Sequence, residues 1–542
     1  MAEQTYKTAP DHELTRFPPG VPYIVGNEGC ERFSFYGMKA ILWVYIVFLL
    51  QQHGLKEAAA GAHATEVVHL FVTGVYFFPL IGSLMADRLL GKYHTILWLS
   101  LVYCAGHVVL SLTEGSVGGM YAGLALIALG SGGIKPCVSA HVGDQFGAGN
   151  WHLLKWVYQA FYFIINFGST FATLLIPLFK EWWGWSVAFA IPGILMFIAT
   201  AVFWMGRHTF VHVPARPGGT LGLLDTLSGT FLALALGALL FFPWEQPALP
   251  LGVAAGSLVL GLFVFKLRQD RQQDDGFLAI TFYAVGALLR GEGPRPADAP
   301  GSSLHHLAQS RFWGPAVRKF GLEATEGPVA VLKIISVFFL VSMFWALFDQ
   351  HASTWIQQAS MMDREFSLPV VGTFEVLPEQ ISSLNPVLVM ILIPILGFGV
   401  YPLFERKLSV SPTPLRRMSV GMFIASLAFV SVALIQSRIQ AGAQMHVAWQ
   451  LLPYTLMTLS EVLVSITGLE FAYTQAPPRM KSVIMGFWLL TVAFGNKLVA
   501  LLAGFKSLDL VSFFWVFAAL MAGAAILFTA RAAFYTVKDY TQ

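Results

Sequence analysis

The amino-acid sequence predicts an all-α integral membrane protein, because it is strongly apolar and its apolar residues fall in evenly spaced segments. Of the 542 residues, 56% are hydrophobic and only 12% are charged, and the mean hydropathy is +0.65. An ordinary soluble domain is about a quarter charged. Fourteen windows of about twenty apolar residues, the length that crosses the hydrocarbon core of a bilayer, follow one another along the chain. We therefore expect 14 transmembrane helices and a lipid bilayer around them.

These windows form two groups of six separated by a pair. They cover residues 24–50, 66–87, 94–113, 119–140, 156–178, 185–206, 220–243, 249–267, 329–351, 381–402, 416–437, 448–472, 482–504 and 510–532. A polar stretch from Arg268 to Gly327 separates the first eight windows from the last six. The seventh and eighth windows carry almost no ionisable residue, which is typical of a hairpin that faces lipid.

The chain is therefore expected to consist of two six-helix bundles with an inserted hairpin. The predicted parts are a cytoplasmic amino-terminal segment (1–23), an N-terminal six-helix bundle (24–206), an inserted transmembrane hairpin (207–267), a cytoplasmic linker (268–328), a C-terminal six-helix bundle (329–535) and a cytoplasmic tail (536–542). This plan resembles the major facilitator superfamily, in which the substrate site lies near the midplane between the halves. The segment Gly82–Thr95 is similar to that superfamily's signature between its second and third helices. We expect its glycines to allow close packing, and Asp87 and Arg88 to act at a cytoplasmic gate.

The distribution of basic residues predicts that both termini are cytoplasmic. With the amino terminus inside, the inward loops hold most of the basic residues, among them Arg88, Lys92, Arg207, Arg416 and Arg417. The first twenty residues lack the apolar core of a cleavable signal peptide. No large outward-facing soluble domain is predicted, which favours a bacterial inner membrane. The net charge of +3 is small and the basic residues form no run, so we expect no nucleic-acid partner.

The first helix contains charged residues that are costly inside a membrane. Glu28, Arg32 and Lys39 follow one helix face at i, i+4 and i+11, with Tyr36 on the same stripe and Glu31 beside it. A lipid-facing stripe of this kind would not insert. It must face other helices or a water-filled cavity, where charged groups are normally paired and mark a substrate or ion pathway.

Lys135 of the fourth helix is predicted to lie at the depth of these carboxylates. The first helix runs outward and the fourth inward, so Glu28, Glu31, Arg32 and Lys135 all fall in the inner half of the membrane. A carboxylate stabilises the charge of a buried lysine, and protonating the carboxylate would release that lysine. The four residues are thus a candidate proton-responsive switch. The alternative is a structural ion network that fixes helix packing.

A second candidate site lies towards the predicted outer side. His69 of the second helix and Asp349 of the ninth helix both lie near the outer ends of their helices. An imidazole that gains a proton beside Asp349 would form and break an ion pair between the bundles at physiological pH. We predict a proton-linked outer gate here, with an interfacial histidine as the alternative.

The second bundle supplies a polar face for the opposite wall of a cavity. In the twelfth helix Thr458, Glu461 and Ser465 share a face, with the carboxylate near mid-membrane. Asn166 lies at mid-depth and Asn385 lies nearer the outer end of its helix, although either amide could simply join helices. Cations of the first half would then face an anion of the second half. Such a cavity suits a zwitterion of peptide size.

Five motifs between about residues 24 and 500 resemble the proton-dependent oligopeptide transporter (POT) family. They are Glu28-x-x-Glu31-Arg32-Phe33, GSGGIKP with Lys135, FYxxIN ending at Asn166, FWALFDQ around Asp349, and EVLVSITGLEFAYTQAP from Glu461. The resemblance implies proton-coupled symport of di- and tripeptides by alternating access. It implies a proton gradient as the driving force, and neither a cofactor nor a metal.

The resemblance also implies a role for each residue of the site. The proton-coupling residues would be Glu28, Glu31, Arg32 and Lys135, together with His69 and Asp349 of the predicted gate. Asn166, Asn385 and Glu461 would bind the amino end of the peptide, and Arg32, Lys39 and Lys135 its carboxylate. Ser465 would belong to the polar wall, and Tyr36, Tyr76, Phe344, Trp345 and Trp488 would line side-chain pockets.

Two positions depart from the family pattern. Lys39 stands where the family usually has arginine, so only a point charge remains for a carboxylate. Phe35 replaces the first tyrosine of the usual pair, which removes one hydroxyl group. His69 and Asp349 resemble the animal-type members. These departures bear on substrate preference rather than on the class of protein.

Two other functions are open at this point. One is proton-coupled transport of another small solute, such as nitrate, histidine or another amino acid; the intact Glu-x-x-Glu-Arg motif and Glu461 argue against a pure anion carrier. The other is a membrane-embedded enzyme, which would need a metal-binding or nucleophile motif that the sequence does not contain. We expect a transporter that is a monomer or a weak homo-oligomer. Lys497 in the thirteenth helix has no predicted partner.

Overall fold

The computed structural model describes residues 6–242, 244, 246–293, 305–369, 372–400, 403, 413–475, 477, 480–504 and 508–536. We number the long apolar helices α1 to α14 in chain order. They are α1 Val21–Gln52, α2 Glu57–Leu90, α3 Lys92–Leu112, α4 Val117–Gly143, α5 and α6 within Leu154–Met205, α7 Gly219–Phe241, α8 Ala248–Arg271, α9 Leu322–Phe348, α10 Pro378–Gly397, α11 Pro414–Gln440, α12 Val447–Ala472, α13 Lys481–Ala503 and α14 Leu510–Ala533.

The segment Leu154–Met205 is two helices that meet at Gly184. Its 52 residues would measure about 78 Å as one helix, far more than the roughly 30 Å of a bilayer core. Gly184 has φ 82° and ψ 178°, a conformation that favours glycine and interrupts the helix. We therefore assign residues 154–183 to α5 and residues 185–205 to α6. The described residues then form fourteen spans, in agreement with the prediction.

Shorter elements connect the spans. Short α-helices lie at Phe277–Leu289, His305–Ala308, Gly314–Phe320 and Thr354–Ser360. Strands β1 (Glu365–Leu368) and β2 (Gly372–Glu375) form an antiparallel pair in which Glu365 is opposite Glu375. Single π-helical turns lie at Ala86–Leu90, Ile395–Val400 and Val462–Ile466.

The predicted polar linker contains helices that its polar composition does not indicate. The helix Phe277–Leu289 is apolar but has only 13 residues, too few to cross a bilayer. It packs beside the C-terminal half, with the Phe277 and Phe487 ring centroids 6.0 Å apart. The helix α9 also begins seven residues earlier than its apolar window, at Leu322. Residues 294–304 of the predicted linker, like 1–5 and 537–542 of the predicted terminal segments, lie outside the described residues.

Two hydrophobic cores organise the helices. One joins side chains of α1 to α6, and the other joins side chains of α9 to α14. The helices α2 and α4 approach so closely that a Cβ atom on Gly82 would lie 2.5 Å from the Cα atom of Gly133. This contact agrees with the close packing predicted for the Gly82–Thr95 segment.

The α7–α8 hairpin lies against the seam between the halves. Leu240 of α7 forms a small core with Phe77 of α2 and with Leu490 and Ala493 of α13. The rest of the hairpin is largely exposed, especially along α8, where Phe263 retains 58% of its surface. An apolar surface of this size is expected to face lipid.

Candidate functional site

The four residues predicted to share one depth form a single ion cluster. Arg32 Nε donates to Glu28 Oε1 over 2.7 Å and lies 3.3 Å from Glu31 Oε2. Lys135 Nζ lies 3.4 Å from Glu31 Oε1. The side chain of Glu31 is 1% exposed, whereas that of Arg32 is 15% exposed. The cluster is therefore shielded at Glu31 and partly exposed at Arg32.

Two further contacts hold this cluster in place. Ser131 Oγ donates to Glu31 Oε1 over 2.8 Å, a bond that sequence analysis did not predict. Lys135 Nζ lies 4.3 Å from the centroid of the Phe35 ring, where a cation–π interaction forms. Phe35 therefore supports the lysine by its ring, although it lacks the hydroxyl group of the family's tyrosine. Protonating Glu31 would remove the anion that both Arg32 and Lys135 contact.

A second cluster joins the two halves towards the predicted outer side. Lys39 Nζ lies 2.6 Å from Asp349 Oδ1, and these side chains are only 6% and 5% exposed. Lys39, which was predicted to bind the peptide carboxylate, is paired with Asp349 in this conformation. The direct His69–Asp349 pair is corrected, because Asn496 lies between the two residues. The direction of a helix predicts how deep a residue lies in the membrane, but it does not predict which residue lies beside it at that depth.

The hydrogen bonds around Asn496 define which ring nitrogen of a neutral His69 carries the proton. Asn496 Nδ2 donates to Asp349 Oδ2 over 2.7 Å, so its Oδ1 is left to accept from His69 Nδ1 over 2.7 Å. His69 Nε2 then accepts from Ser353 Oγ over 2.8 Å. A proton added to Nε2 would force the Ser353 hydroxyl to turn and become the acceptor. Asn496 and Ser353 therefore belong to this site, although no sequence motif pointed to either.

A third contact between the halves lies on α5 and α10. Lys180 Nζ lies 2.6 Å from Glu379 Oε1, and the Glu379 side chain is 1% exposed. Gln380 Nε2 donates to the backbone oxygen of Leu174 over 2.9 Å. Lys180 lies between the fifth and sixth predicted apolar windows, where no motif indicated a role for it. The contacts of Lys39, His69 and Lys180 therefore hold the two halves together at the end predicted to be outer.

Beyond these contacts lies a cavity between the halves with a volume of about 700 Å³. It is lined by Trp43 and Thr65 of the N-terminal half and by Gln357 and Phe513 of the C-terminal half. Trp43 Nε1 donates to Thr65 Oγ1 over 3.0 Å beside this space. The contacts of Lys39, Asp349 and His69 thus separate an outer vestibule from the middle of the protein.

The predicted acidic wall is assembled by α10 and α12. Asn385 Nδ2 donates to Glu461 Oε2 over 2.7 Å and to Thr458 Oγ1 over 3.2 Å. Glu461 and Asn385 are both partly exposed, and the π-helical turn Val462–Ile466 begins at the next residue. The phenol of Tyr36 lies within electrostatic range of Arg32 and of Glu461. Tyr36 therefore lies between the cationic and the acidic walls.

The remaining residues of the predicted substrate site are buried or partly buried between the helices. Tyr76 and Ser465 are partly buried, while Asn166 uses its amide to donate to the Tyr162 backbone oxygen over 2.9 Å. Trp345 and Trp488 have ring centroids 6.2 Å apart.

Trp345, Trp488 and Phe344 differ in their burial and in the contacts available to a ligand. Trp345 Nε1 is buried without a hydrogen-bond partner among the described residues, so it remains available to one. Trp488 packs against Gly468 so closely that a Cβ atom there would lie 2.2 Å from the indole ring. Phe344 is fully buried in the C-terminal core, which places its ring away from an open surface.

The predicted gate segment forms ion pairs at the helix ends. Arg88 Nη1 lies 3.5 Å from Asp225 Oδ2 of the hairpin, and Lys92 Nζ lies 2.7 Å from Asp144 Oδ2 beyond the end of α4. Burial raises the pKa of Asp144 despite the opposing effect of Lys92. The backbone oxygen of Asp87 accepts from the Arg216 amide over 2.9 Å. Lys497 is partly buried and lies within electrostatic range of Glu66.

The two helical bundles, joined by buried ion pairs and flanked by an inserted hairpin, define an integral membrane protein with the major facilitator fold. The profile of the POT family (PTR2) matches residues 93–221 and 320–512, more than half of the chain. This protein therefore belongs to the POT family.

Similar proteins agree with this assignment. A crystal structure of an auto-inhibited POT family peptide transporter is 39% identical, with a TM-score of 0.76 over 97% of this chain and 99% of that one. The POT family transporter PepTSo is 40% identical, with a TM-score of 0.76 over 96% and 98% of the two chains.

Curated relatives are more distant in sequence. Peptide transporter 3 of Caenorhabditis elegans is 33% identical over 79% of this chain and 52% of its own length. Solute carrier family 15 member 2 of Homo sapiens is 31% identical over 84% and 54% of the two chains. The chain thus spans about half the length of these relatives.

Proposed function

We propose that this protein is a symporter that moves di- and tripeptides together with protons by alternating access. The observation that supports this most strongly is the pairing of buried charges within and between the two halves. The Glu31 cluster holds cations on one wall, and Glu461 with Asn385 holds an anion on the other. A zwitterionic peptide bridges two such walls because its two ends carry opposite charges.

The amino end of the peptide binds Glu461 and Asn385, which are already joined to each other and partly exposed. Its carboxylate binds Arg32 and Lys135, with Tyr36 between the walls. Lys39 joins this set only when its pair with Asp349 opens. Asn166, Tyr76, Ser465, Trp345 and Trp488 complete the walls around the peptide side chains.

Proton coupling works by exchange of ion-pair partners. A proton on Glu28 or Glu31 releases Arg32 and Lys135 towards the peptide carboxylate, since each cation loses the anion that it contacts in the closed cluster. A proton on His69 turns the Ser353 hydroxyl and weakens the contact between the halves. Peptide and proton binding at the inner cluster therefore reinforce each other.

We further propose a cytoplasmic orientation of both termini, from the distribution of basic residues. Both termini lie in the cytoplasm of a bacterial cell, and the protein works in the inner membrane as a monomer or weak homo-oligomer. The basic inward loops support this orientation. In that orientation the Lys39, His69 and Lys180 contacts are the outer gate, and the Arg88 and Lys92 segment is the inner gate.

The test is uptake of a labelled dipeptide into proteoliposomes with an acidic exterior. We expect accumulation that a protonophore abolishes and that unlabelled di- and tripeptides inhibit. Free amino acids and nitrate serve as competitors for the alternative, a proton-coupled carrier of another small solute. Inhibition by nitrate or histidine but not by dipeptides would contradict the peptide assignment. The relatives named above are all transporters, and an enzymatic activity has no support among them.

A further inference from the structure

A groove of about 350 Å³ lies where α9 meets α14, away from the substrate path. It is lined by Trp313, Val329, Leu332, Lys333, Ser336 and Arg531. Arg531 lies in the last turn of α14, and Lys333 lies in the first half of α9, so the groove is at the end of the membrane helices. Tryptophan is also enriched at this depth, where the bilayer meets water.

Two cations, Lys333 and Arg531, converge in this groove. Arg531 Nε donates to Ser336 Oγ over 3.1 Å, which fixes the guanidinium and leaves its other N–H groups free to donate elsewhere. Among the described residues, no carboxylate lies within ion-pair distance of Lys333 or Arg531. The acidic residues of α9, Glu323 and Glu326, precede Lys333 by at least seven residues, or about 10 Å along the helix. Arg531 is the only charged residue of α14.

An apolar track continues from the groove into the membrane. On α9, Leu332 and Phe339 share the face of Ser336, and they are 41% and 67% exposed. On α14, Leu527 lies one turn before Arg531 on the same face and is 60% exposed. The two helices run in opposite directions, so Phe339 and Leu527 both lie deeper than the two cations. A ligand here has an anionic head and an apolar tail.

We propose that this groove binds an anionic phospholipid, with the phosphate between Lys333 and Arg531 and an acyl chain along Phe339 and Leu527. Basic pockets between membrane helices at the bilayer surface favour such headgroups, each cation near the surface contributing about fivefold in affinity. The two cations recognise the headgroup, and the apolar residues Phe339 and Leu527 recognise the acyl chain. A free phosphate would use only the cations, so the site favours a lipid. The proposal does not depend on which solute the protein transports.

The experiment measures lipid retention by native mass spectrometry of the full chain in detergent. Palmitoyl-oleoyl phosphatidylglycerol is titrated against palmitoyl-oleoyl phosphatidylcholine, with glycerol phosphate as a soluble headgroup. We expect Lys333→Gln with Arg531→Gln to weaken phosphatidylglycerol binding roughly 30-fold, since two cations are removed. Arg531→Lys retains most of the affinity because it keeps the charge.

Arg207→Gln is the matched control. Arg207 lies over the Trp204 ring at 3.9 Å at the end of α6, outside the groove. The Arg207→Gln variant should leave phosphatidylglycerol binding unchanged. An unaltered melting temperature of each variant in lipid-free detergent shows that the variant folds. Equal binding of phosphatidylcholine, or an unchanged affinity in the double variant, overturns the proposal. If glycerol phosphate saturates the groove at the same concentrations as phosphatidylglycerol, the ligand is a free phosphate and not a lipid.

Discussion

Single residues determine how charge is neutralised in the middle of this protein. The cluster of Glu28, Glu31, Arg32 and Lys135 was predictable because the three residues of α1 and Lys135 of α4 fall at one depth. Asn496 was not predictable, since an asparagine in an apolar helix has no motif of its own. Its role becomes visible only through its hydrogen bonds to Asp349 and to His69.

The Glu461 carboxylate is expected to recognise the amino group of the peptide. Glu461→Gln keeps the side-chain shape but removes the charge, and a charged hydrogen bond contributes about 1.5–3 kcal/mol. We expect dipeptide affinity to fall roughly 10- to 100-fold. Isothermal titration with a dipeptide and with its N-acetylated form measures this effect.

The N-acetylated dipeptide is the internal control, because it has no cationic amino group. It should bind wild type and Glu461→Gln with similar weak affinity. An equal loss of affinity for both ligands would show that Glu461 stabilises the structure of the acidic wall and does not bind the amino group.

Asn496 is expected to link His69 to Asp349. Asn496→Leu removes both hydrogen bonds without changing the size of the side chain much, and it leaves a buried carboxylate with one partner fewer. We expect the outer gate to open more often, measured as faster labelling of a cysteine placed at Ser465, in the middle of the protein, by a membrane-impermeant thiol reagent added outside. Unchanged labelling would show that the Lys39–Asp349 pair closes the gate alone.

At the scale of elements, helix contacts decide which parts can move. The number of spans was predictable from hydropathy, and the break between α5 and α6 fell between two apolar windows. The lateral contact between α5 and α10 was not predictable, because helix direction gives depth but not neighbours. Lys180 and Glu379 lie at the ends of these helices, and this was the only signal that they could meet.

The Lys180–Glu379 pair is expected to stabilise the outer closed state. Lys180→Met leaves the 1% exposed Glu379 carboxylate without its cation, and breaking a buried pair typically costs about 3–5 kcal/mol. We expect a shift towards the outward-open state, seen as faster labelling of a cysteine at Ser465 by the same reagent added outside. The charge swap Lys180→Glu with Glu379→Lys should restore slow labelling, and failure of the swap together with normal labelling of Lys180→Met would contradict this role.

The close contact of α2 with α4 is expected to tolerate no side chain. Gly82→Ala places a methyl group 2.5 Å from the Cα atom of Gly133, and such overpacking costs about 1–3 kcal/mol. We expect a lower melting temperature and slower transport.

Gly523→Ala in α14 is the matched control, because nothing lies within 4 Å of its Cβ position. This substitution should leave melting unchanged or raise it slightly, since alanine favours the helix. Equal melting of both variants would show that the helices can separate to accommodate the methyl group.

At the scale of the whole molecule, the two halves are expected to move as separate bodies. Each has its own core, and the contacts described between charged residues of the two halves lie at one end. The two-bundle plan was predictable from the six, two and six grouping of apolar windows. The conformation was not, because the same sequence must support more than one arrangement of the halves.

Spin labels at both ends of the molecule measure this motion. One pair replaces Lys56 and Arg438 at the predicted outer side, and the other replaces Trp151 and Glu470 at the predicted inner side. We expect acid and dipeptide together to shorten the inner distance. Parallel changes at both ends would indicate a different motion from alternating access.

The most direct measurement is dipeptide accumulation in proteoliposomes, driven by a pH gradient, for wild type and for Glu31→Gln. The Glu31 carboxylate contacts both Arg32 and Lys135, so its neutral form should uncouple the proton from the peptide. We expect Glu31→Gln to lose accumulation against a gradient while it still exchanges labelled for unlabelled dipeptide. Accumulation at the wild-type level in Glu31→Gln, still abolished by a protonophore, would contradict the role of this cluster.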